Sequence, residues 1–168
     1  MKIIIVGDYS WKWYQDACAD ALEEQGHYIV RYSWFDIFRK WVSNHSEPIF
    51  HSFFHKFQYA YSQGPLIAKI NKELIECIEE ESPDAVWFYN VKHIKYKTIL
   101  SIKKRFQETF LVQFSNDNPF SKQTIPRLWR DYIRSIPLFD HSFSYRDSNI
   151  GDYKKNKAKK LSILLPYF

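Results

Sequence analysis

The stretch Met1-Lys-Ile-Ile-Ile-Val-Gly-Asp-Tyr-Ser10 opens the chain with an apolar run that ends in a glycine and continues into polar residues. A run such as Lys2 to Val6 is typical of a β-strand buried on both faces, as the strands of parallel sheets are. Residues Asp16 to Gln25 then show the apolar spacing of a helix, and Gly26 follows as a stop signal. This order of strand, loop and helix predicts the beginning of a parallel α/β fold.

The same alternation continues along the whole chain. Apolar runs bounded by loop residues predict six strands, at residues 2–6, 27–33, 84–89, 109–115, 139–144 and 161–165. Helical patterns lie between them at residues 16–25, 66–81, 95–106, 125–135 and 148–157. Because parallel strands need right-handed crossovers that place helices on both faces, we expect a single Rossmann-like domain over residues 1–168, with a doubly wound parallel sheet. The residues expected in its core are Val6, Val30, Val86, Val112 and Phe143.

Composition limits the class of protein. A length of 168 residues with 45% hydrophobic content suits one domain with its own core. The formal net charge of +5 favours acidic partners such as nucleotides, lipid phosphates or nucleic acid. No apolar run approaches the ~20 residues of a membrane-spanning helix, and the start of the chain does not read as a signal peptide, so we expect a cytoplasmic protein. Cys18 and Cys77 have no second cysteine at a metal-ligand spacing, which predicts reduced thiols rather than a disulfide or zinc site.

Residues 34–64 form an insert too long for a simple connection and rich in aromatic residues. One aromatic stripe falls at helical spacing: Trp34, Phe38 and Trp41. Cationic residues interleave with the rings: Arg39, Lys40 and Lys56. One reading packs the stripe on the sheet; the other exposes an apolar and basic face for a lipid-linked acceptor, a membrane surface or another protein chain. His51 and His55 share a helical face, but with no carboxylate at a suitable spacing we predict no metal site.

Polar loops follow four of the predicted strands. In an open parallel sheet, ligands bind beyond the carboxyl ends of the strands, so these loops are expected to converge at one edge. The residues predicted to meet there are Asp8, Ser10, Asn90, His93, Asn116, Asp117 and Arg146. This convergence is the main functional signal in the sequence.

Each candidate has both a chemical and a structural interpretation. Asp117 follows a buried strand and lies between two asparagines that could orient it, which favours an acid or base role, although Asp8 and Asp117 could instead be turn or cap residues. His93 is a candidate base because histidine titrates near neutral pH, or else a solvated loop residue. Arg146 could hold a phosphate or carboxylate, or pair with a neighbouring aspartate, Asp147 or Asp152.

Three common enzyme classes are disfavoured. Gly7 is the single glycine of the first loop, so neither the G-x-G-x-x-G fingerprint nor the Walker A pattern is present. The G-x-S-x-G elbow of α/β-hydrolases is also missing. Conventional NAD enzymes, P-loop NTPases and serine hydrolases are therefore not expected.

Three stretches give the chain a family resemblance. They are Met1-Lys-Ile-Ile-Ile-Val-Gly-Asp-Tyr-Ser10, Phe114-Ser-Asn-Asp-Asn-Pro-Phe120, and Phe139-Asp-His-Ser-Phe-Ser-Tyr-Arg-Asp-Ser-Asn149 running on to Leu164-Leu-Pro-Tyr-Phe168. The chain resembles the N-terminal half of bacterial GT-B glycosyltransferases of the spore-maturation-protein (CgeB-like) group. The last stretch looks like the strand that leads into the interdomain linker of that family.

The resemblance implies an acceptor-binding domain that is incomplete without a C-terminal donor domain, which grips a nucleotide-sugar in the cleft between the two. Asp117 or His93 would then take the proton of a glycan or lipid-linked acceptor. Asn90, Asn116 and Arg146 would bind substrate at the same edge. The first loop would line the cleft near the transferred sugar: Gly7, Asp8, Tyr9, Ser10 and Trp11. No cofactor or metal ion is implied.

Two other interpretations stay open. One is a stand-alone Rossmann or flavodoxin-like binding module, although a receiver-like site would need more acidic residues than Asp8 after the first strand. The other is a basic adaptor that uses the aromatic insert and the Lys154 to Lys160 run, with peripheral contact to the inner membrane face favoured over nucleic acid.

Overall fold

The computed structural model describes residues 1–44 and 50–164, except for the side chains of 40–44 and 50–52. Within this part the chain folds into a single sheet of six parallel strands flanked by helices, which confirms the Rossmann-like doubly wound fold. The side chains of Lys40, Trp41 and His51, and the predicted strand end at Leu165, lie outside the described residues.

The elements alternate along the chain. The strands are β1 Lys2–Gly7, β2 Tyr28–Ser33, β3 Ala85–Tyr89, β4 Phe110–Ser115, β5 His141–Ser144 and β6 Leu161–Ile163. The helices are α1 Ala17–Glu24, α2 Trp34–Asn44, α3 Phe50–Tyr61, α4 Pro65–Glu81, α5 Tyr96–Arg105, α6 Pro126–Ser135 and α7 Ile150–Lys155. A π-helical turn, Lys12–Asp16, precedes α1, and 3-10 turns occupy Ile136–Leu138 and Asp147–Asn149. Strand β5 begins at His141 and not at Phe139 as expected, because the 3-10 turn and Phe139 bring the chain into the sheet.

The strand order is β2-β1-β3-β4-β5-β6, so the direction of winding reverses between β1 and β3. Its first five strands follow the flavodoxin-like doubly wound order, in which the ligand binds at this reversal. The register pairs Val6 of β1 with Phe88 of β3, which brings the loops after these two strands side by side. The fold therefore places the Gly7 loop next to the Asn90 loop.

The core is unequal on the two faces of the sheet. Side chains of α2, α4, α5, α6 and α7 join the large cluster on one face, whereas the smaller cluster on the other face contains residues of α1 alone among the described helices. Val6 and Val86 face the large cluster and are fully buried, as predicted. Val30 is partly buried and packs against the same cluster. The prediction is wrong for Val112 and Phe143, which are only partly buried and belong to neither cluster. Val30 lies on the edge strand β2, and the register places Val112 and Phe143 on the α1 face, in strands that do not neighbour β1.

The aromatic insert forms α2 and α3, and its rings divide between core and surface. Trp34 and Phe38 of α2 are buried against the sheet and α4, which supports the structural reading for that helix. Phe53 and Phe57 of α3 are exposed, as the alternative reading predicts for that helix. Among the described residues, no helix is long and apolar enough to cross a membrane.

Candidate functional site

The carboxyl ends of all six strands point to one edge of the sheet, and the predicted site residues follow these ends. Two of the carboxylates act on the same tyrosine: burial first, and then the negative charges of Asp8 and Asp117, raise the pKa of Tyr59. Asp8 follows β1 and Asp117 follows β4, so both carboxylates lie within electrostatic reach of one phenol on α3. The loops after β1 and β4 therefore both lie near Tyr59.

The Asp117 side chain is held in place at this edge by two neighbouring side chains. Its Oδ2 atom accepts a hydrogen bond from Nδ2 of Asn90 at 3.2 Å and lies 2.7 Å from Nζ of Lys92. The Asn90 amide is oriented in turn by the Ser115 hydroxyl, which donates to its Oδ1 at 3.2 Å. Among the described contacts, Oδ1 of Asp117 has none, and the carboxylate is 45% exposed. One oxygen is thus held by the protein while the other faces outward.

Asn90 adopts an uncommon backbone conformation. Its φ is +53°, in the left-handed region where asparagine is tolerated better than most residues. The turn is fixed because the Asn90 N–H donates to the carbonyl of Phe114 at 2.9 Å. Residues held in such conformations concentrate at functional sites. Here the conformation brings the amide of Asn90 against Asp117.

The loop after β5 joins the same edge through the side chain of Arg146. Arg146 donates from Nη1 to the carbonyl of Asn116 at 2.7 Å, and its guanidinium lies 4.8 Å above the ring of Tyr145. No described ion pair joins Arg146 to Asp147 or Asp152. The Oδ1 atom of Asn116 is buried without a hydrogen-bond partner in the described part of the chain.

The loop after β1 is tightly anchored. A Cβ at Gly7 would lie 2.5 Å from Cγ of the buried Gln15, so only glycine fits there. Oδ1 of Asp8 accepts from the Ser10 N–H at 2.9 Å, the turn role that the sequence left open for this residue. Tyr9 is predicted to bind substrate, but its ring packs against the α1-side cluster and its hydroxyl donates to the Ile5 carbonyl at 2.9 Å. The Tyr9 side chain therefore anchors the loop to the α1 side of the sheet.

An exposed pair of indoles follows this loop. Trp11 and Trp13 are 54% and 62% exposed, with ring centroids 5.1 Å apart. Trp13 contacts Tyr14, whose ring lies 6.4 Å from that of Tyr89 at the end of β3. Trp11 was among the predicted residues, but Trp13 and Tyr14 were not. They lie on the π-helical turn Lys12–Asp16, a conformation frequent at functional sites that the spacing of apolar residues does not reveal.

His93 lies beneath the edge and not in the cleft. Its side chain is fully buried, with the rings of Trp34 and Tyr59 each 4.7 Å away. Because the Ser62 hydroxyl donates to the Lys92 carbonyl at 3.3 Å, Nδ1 of His93 is the donor in its 3.2 Å contact with Ser62. Burial, with smaller contributions from Lys92 and Lys95, lowers the pKa of His93 to about 3. A neutral, enclosed imidazole does not suit the predicted role of catalytic base, and the solvated alternative is also wrong.

The side chain that is exposed near Asp8 and Asp117 is Tyr59 and not His93. This residue of α3 is 39% exposed, contacts His93 from above, and is near both Asp8 and Asp117. The sequence marked α3 as aromatic-rich, but it did not show which ring turns toward the sheet edge.

The chemistry available at this edge is that of carboxylates, amides, an ammonium group and flat aromatic faces. Within the described ranges, no three His, Cys, Asp or Glu residues are placed to hold a metal ion. Such a set can accept hydrogen bonds from hydroxyl groups and pack against an apolar ring face. Comparison with protein-family models and with curated protein sequences finds no match for this chain.

Proposed function

We propose that the chain is the acceptor-binding half of a GT-B-type glycosyltransferase similar to the CgeB-like group. The observation that carries the proposal is the half-exposed Asp117 carboxylate, held through Oδ2 by Asn90 and Lys92 at the carboxyl edge of a parallel sheet. Ligands of open α/β sheets bind at this edge. The sequence resemblance and the position at the carboxyl edge of the sheet both favour Asp117.

The proposed ligand is a saccharide or another polyhydroxylated acceptor. Oδ1 of Asp117 and the carboxylate of Asp8 can accept hydrogen bonds from hydroxyl groups, and Lys92 can donate to them. Trp11 and Trp13 present exposed ring faces of the kind that pack against the apolar C–H face of a sugar ring. A few polar groups beside an aromatic surface are typical of a small-molecule site.

In the complete enzyme, Asp117 would take the proton of the attacking acceptor hydroxyl while the transferred sugar leaves its nucleotide diphosphate. Asn90 and Lys92 would hold the carboxylate in the orientation that this transfer needs. Because nucleotide-sugar donors are made in the cytoplasm, we propose a cytoplasmic location. The residues described here do not transfer sugar by themselves in this scheme, since bringing both reactants into one geometry is worth roughly 7–11 kcal/mol of the barrier.

The proposal is tested by probing a printed array of bacterial oligosaccharides with the fluorescently labelled chain. Asp117→Asn removes the charge from the proposed site with little change in shape, and we expect at least about tenfold weaker binding, the loss typical of a charged hydrogen bond. Asp84→Asn, at the opposite edge of the sheet, is the matched control because, among the described residues, its carboxylate accepts a hydrogen bond only from the Lys2 N–H.

Binding of the wild type to defined saccharides, lost in Asp117→Asn and retained in Asp84→Asn, supports the proposal. A wild type that binds no saccharide on the array, or an Asp117→Asn variant that binds as well as the wild type, would overturn it.

A stand-alone binding module is the second candidate. The flavodoxin-like order of the first five strands favours it, because that order also serves small proteins that bind a mononucleotide at the β1 and β3 reversal. Titration with flavin mononucleotide and with nucleoside diphosphates, followed by the fluorescence of the exposed Trp11 and Trp13, separates the two candidates. Saturable quenching without saccharide binding would favour the module.

A further inference from the structure

Helix α3 carries aromatic rings on its outer side. Phe53, Phe57 and Tyr61 follow one another at i, i+4 and i+8, so they lie on one face of the helix, and Phe54 lies beside them. The exposed fraction of these side chains ranges from 40% for Phe54 to 71% for Phe53. Phe57 and Tyr61 stack with their ring centroids 4.5 Å apart. The outer side of α3 is therefore a contiguous aromatic strip.

The strip is not needed for packing α3 onto the protein. The inner side of the helix does that work: Gln58 is buried and its Oε1 accepts the Leu66 N–H at 2.8 Å, while the ring of His55 contacts Phe38 of α2 at 5.0 Å. A surface helix of this kind normally shows charged and polar residues to solvent. In α3 the outer side is instead aromatic, and Phe50–Tyr61 contains no aspartate or glutamate.

Cations border the strip. Lys56 is exposed on α3 itself. Arg127 of α6 donates from Nε to the Ala60 carbonyl at 3.1 Å and places its guanidinium 4.2 Å above the ring of Tyr61. Arg130, one turn further along α6, is 66% exposed. The α3 surface, defined as Phe53, Phe54, Phe57 and Tyr61 with Lys56, Arg127 and Arg130, thus combines exposed rings with positive charge.

We propose that the α3 surface docks the protein on an anionic lipid bilayer. The charge pattern selects this occupant: rings that enter the boundary between headgroups and acyl chains, beside cations that meet lipid phosphates, are the features of peripheral helices that lie in the membrane interface. A second copy of the chain would bring the same cations against themselves. An apolar protein partner would offer no counter-charge to Lys56, and among the described residues Arg130 has only a 3.9 Å contact with Asp131.

Docking through α3 would also bring the candidate site close to the membrane. Tyr59 belongs to the same helix and lies within electrostatic reach of Asp8 and Asp117. An acceptor carried by a lipid could therefore reach the edge of the sheet. The docking proposal does not depend on the glycosyltransferase proposal, because it rests on α3 and α6 alone.

The test is co-sedimentation of the purified chain with vesicles. Wild-type protein is mixed with vesicles of phosphatidylcholine and phosphatidylglycerol, and separately with vesicles of phosphatidylcholine alone. We expect binding to the anionic vesicles that weakens as salt is raised, because exposed charges are screened. Phe53→Ser/Phe57→Ser should partition at least about tenfold less, since burial of even one phenyl ring is worth that much.

Two control variants distinguish binding through the α3 surface from nonspecific hydrophobic adsorption and from nonspecific electrostatic attraction. Tyr28→Ser/Phe110→Ser removes two exposed rings from the sheet and should leave vesicle binding unchanged. Arg127→Glu/Arg130→Glu should abolish binding to anionic vesicles, whereas Lys154→Glu/Lys155→Glu on α7 makes the same charge change elsewhere and should reduce it far less. Circular dichroism of each variant verifies that it is folded.

Failure of the wild type to bind anionic vesicles would overturn the proposal. So would equal binding by Phe53→Ser/Phe57→Ser, or an equal loss in Lys154→Glu/Lys155→Glu and Arg127→Glu/Arg130→Glu. The wild type could instead fail to bind vesicles and dimerise with increasing concentration. If Phe53→Ser/Phe57→Ser then abolished the dimer, the surface would be assigned to a second copy of the chain. Saccharide binding on the array is a separate readout, so the two proposals can fail independently.

Discussion

At the scale of the residue, burial decides what a titratable group can do. His93 and Asp117 both follow strands at the same edge, and both were candidates for a base, with Asp117 the better one. The imidazole of His93 is enclosed by Trp34 and Tyr59, which leaves it neutral, whereas Asp117 keeps a carboxylate oxygen outward. The difference lies mainly in neighbours that are far away in sequence, Trp34 and Tyr59 for His93 and Asn90 for Asp117.

Burial of His93 should make the protein sensitive to acid. Its pKa is about 3 when folded against an ordinary value of 6.5, so below pH 6.5 the unfolded chain binds a proton that the folded chain does not. The free energy of unfolding therefore falls as the pH drops from 6.5 toward 3. His93→Gln, which we expect to cost roughly 1–3 kcal/mol at neutral pH, should remove this part of the slope.

Urea unfolding of wild type and variants between about pH 7 and pH 5 measures the slope. His27→Gln, in the loop before β2, is the control with the same chemical change. Identical slopes for the wild type and His93→Gln would show that His93 titrates normally and that the enclosed position is wrong.

At the scale of the element, α3 and α4 are locked together by one glycine and one glutamine. Gly64 immediately precedes α4 with φ +116°, and a Cβ there would lie 2.5 Å from Oε1 of Gln58. That same oxygen accepts the Leu66 N–H in the first turn of α4. The connection between the two helices therefore depends on the missing side chain of Gly64.

Alanine at three glycines should separate backbone strain from steric contact. Gly64→Ala suffers both and should lower the free energy of unfolding by more than about 2 kcal/mol. Gly26→Ala, with φ +83° and no atom within 4 Å of the new Cβ, should lower it by roughly 1–2 kcal/mol. Gly151→Ala in α7 has open space and should raise it by up to about 1 kcal/mol. Chemical denaturation gives all three values, and a harmless Gly64→Ala would contradict the contact with Gln58.

At the scale of the whole molecule, the sheet is covered unequally. The helices α2, α4, α5, α6 and α7 join the cluster on one face, and α1 is the described helix on the other. All-parallel sheets are usually buried on both sides, and here Trp87 and Phe143 stack on each other across the α1 face while only partly buried. The centre of the sheet is therefore more protected than its β6 edge.

Amide hydrogen exchange should follow this arrangement. The slowest amides should lie in β1, β3 and β4, because these strands have hydrogen-bonded neighbours on both sides and contribute Ile4, Val86 and Leu111 to the large cluster. The three-residue strand β6 should exchange much faster, since it is an edge strand and its residues are not fully buried. Peptide-resolved exchange measured by mass spectrometry tests the order. Slowest exchange in β6 would contradict the strand order.

The sequence by itself was enough to predict six parallel strands and a polar edge that contains Asp8, Asn90 and Asp117. Apolar runs such as Lys2 to Val6 reflect local burial on both faces, and the common edge follows from the parallel direction alone. These features repeat within a few residues or follow from a single rule of topology, which is why they can be read without coordinates.

Only the tertiary structure decided which aromatic rings are buried and which side chains surround His93. It also decided that Tyr59, and Trp13 on the π-helical turn, lie near the edge of the sheet. Trp34 and Phe57 both belong to helices of the aromatic insert, but Trp34 is buried in the large cluster with residues of α4 and Phe57 is exposed. Their exposure depends on how α2, α3 and α4 cross the sheet between β2 and β3. Contacts between residues far apart in the chain determine that crossing, and the spacing of apolar residues within one helix carries no information about them.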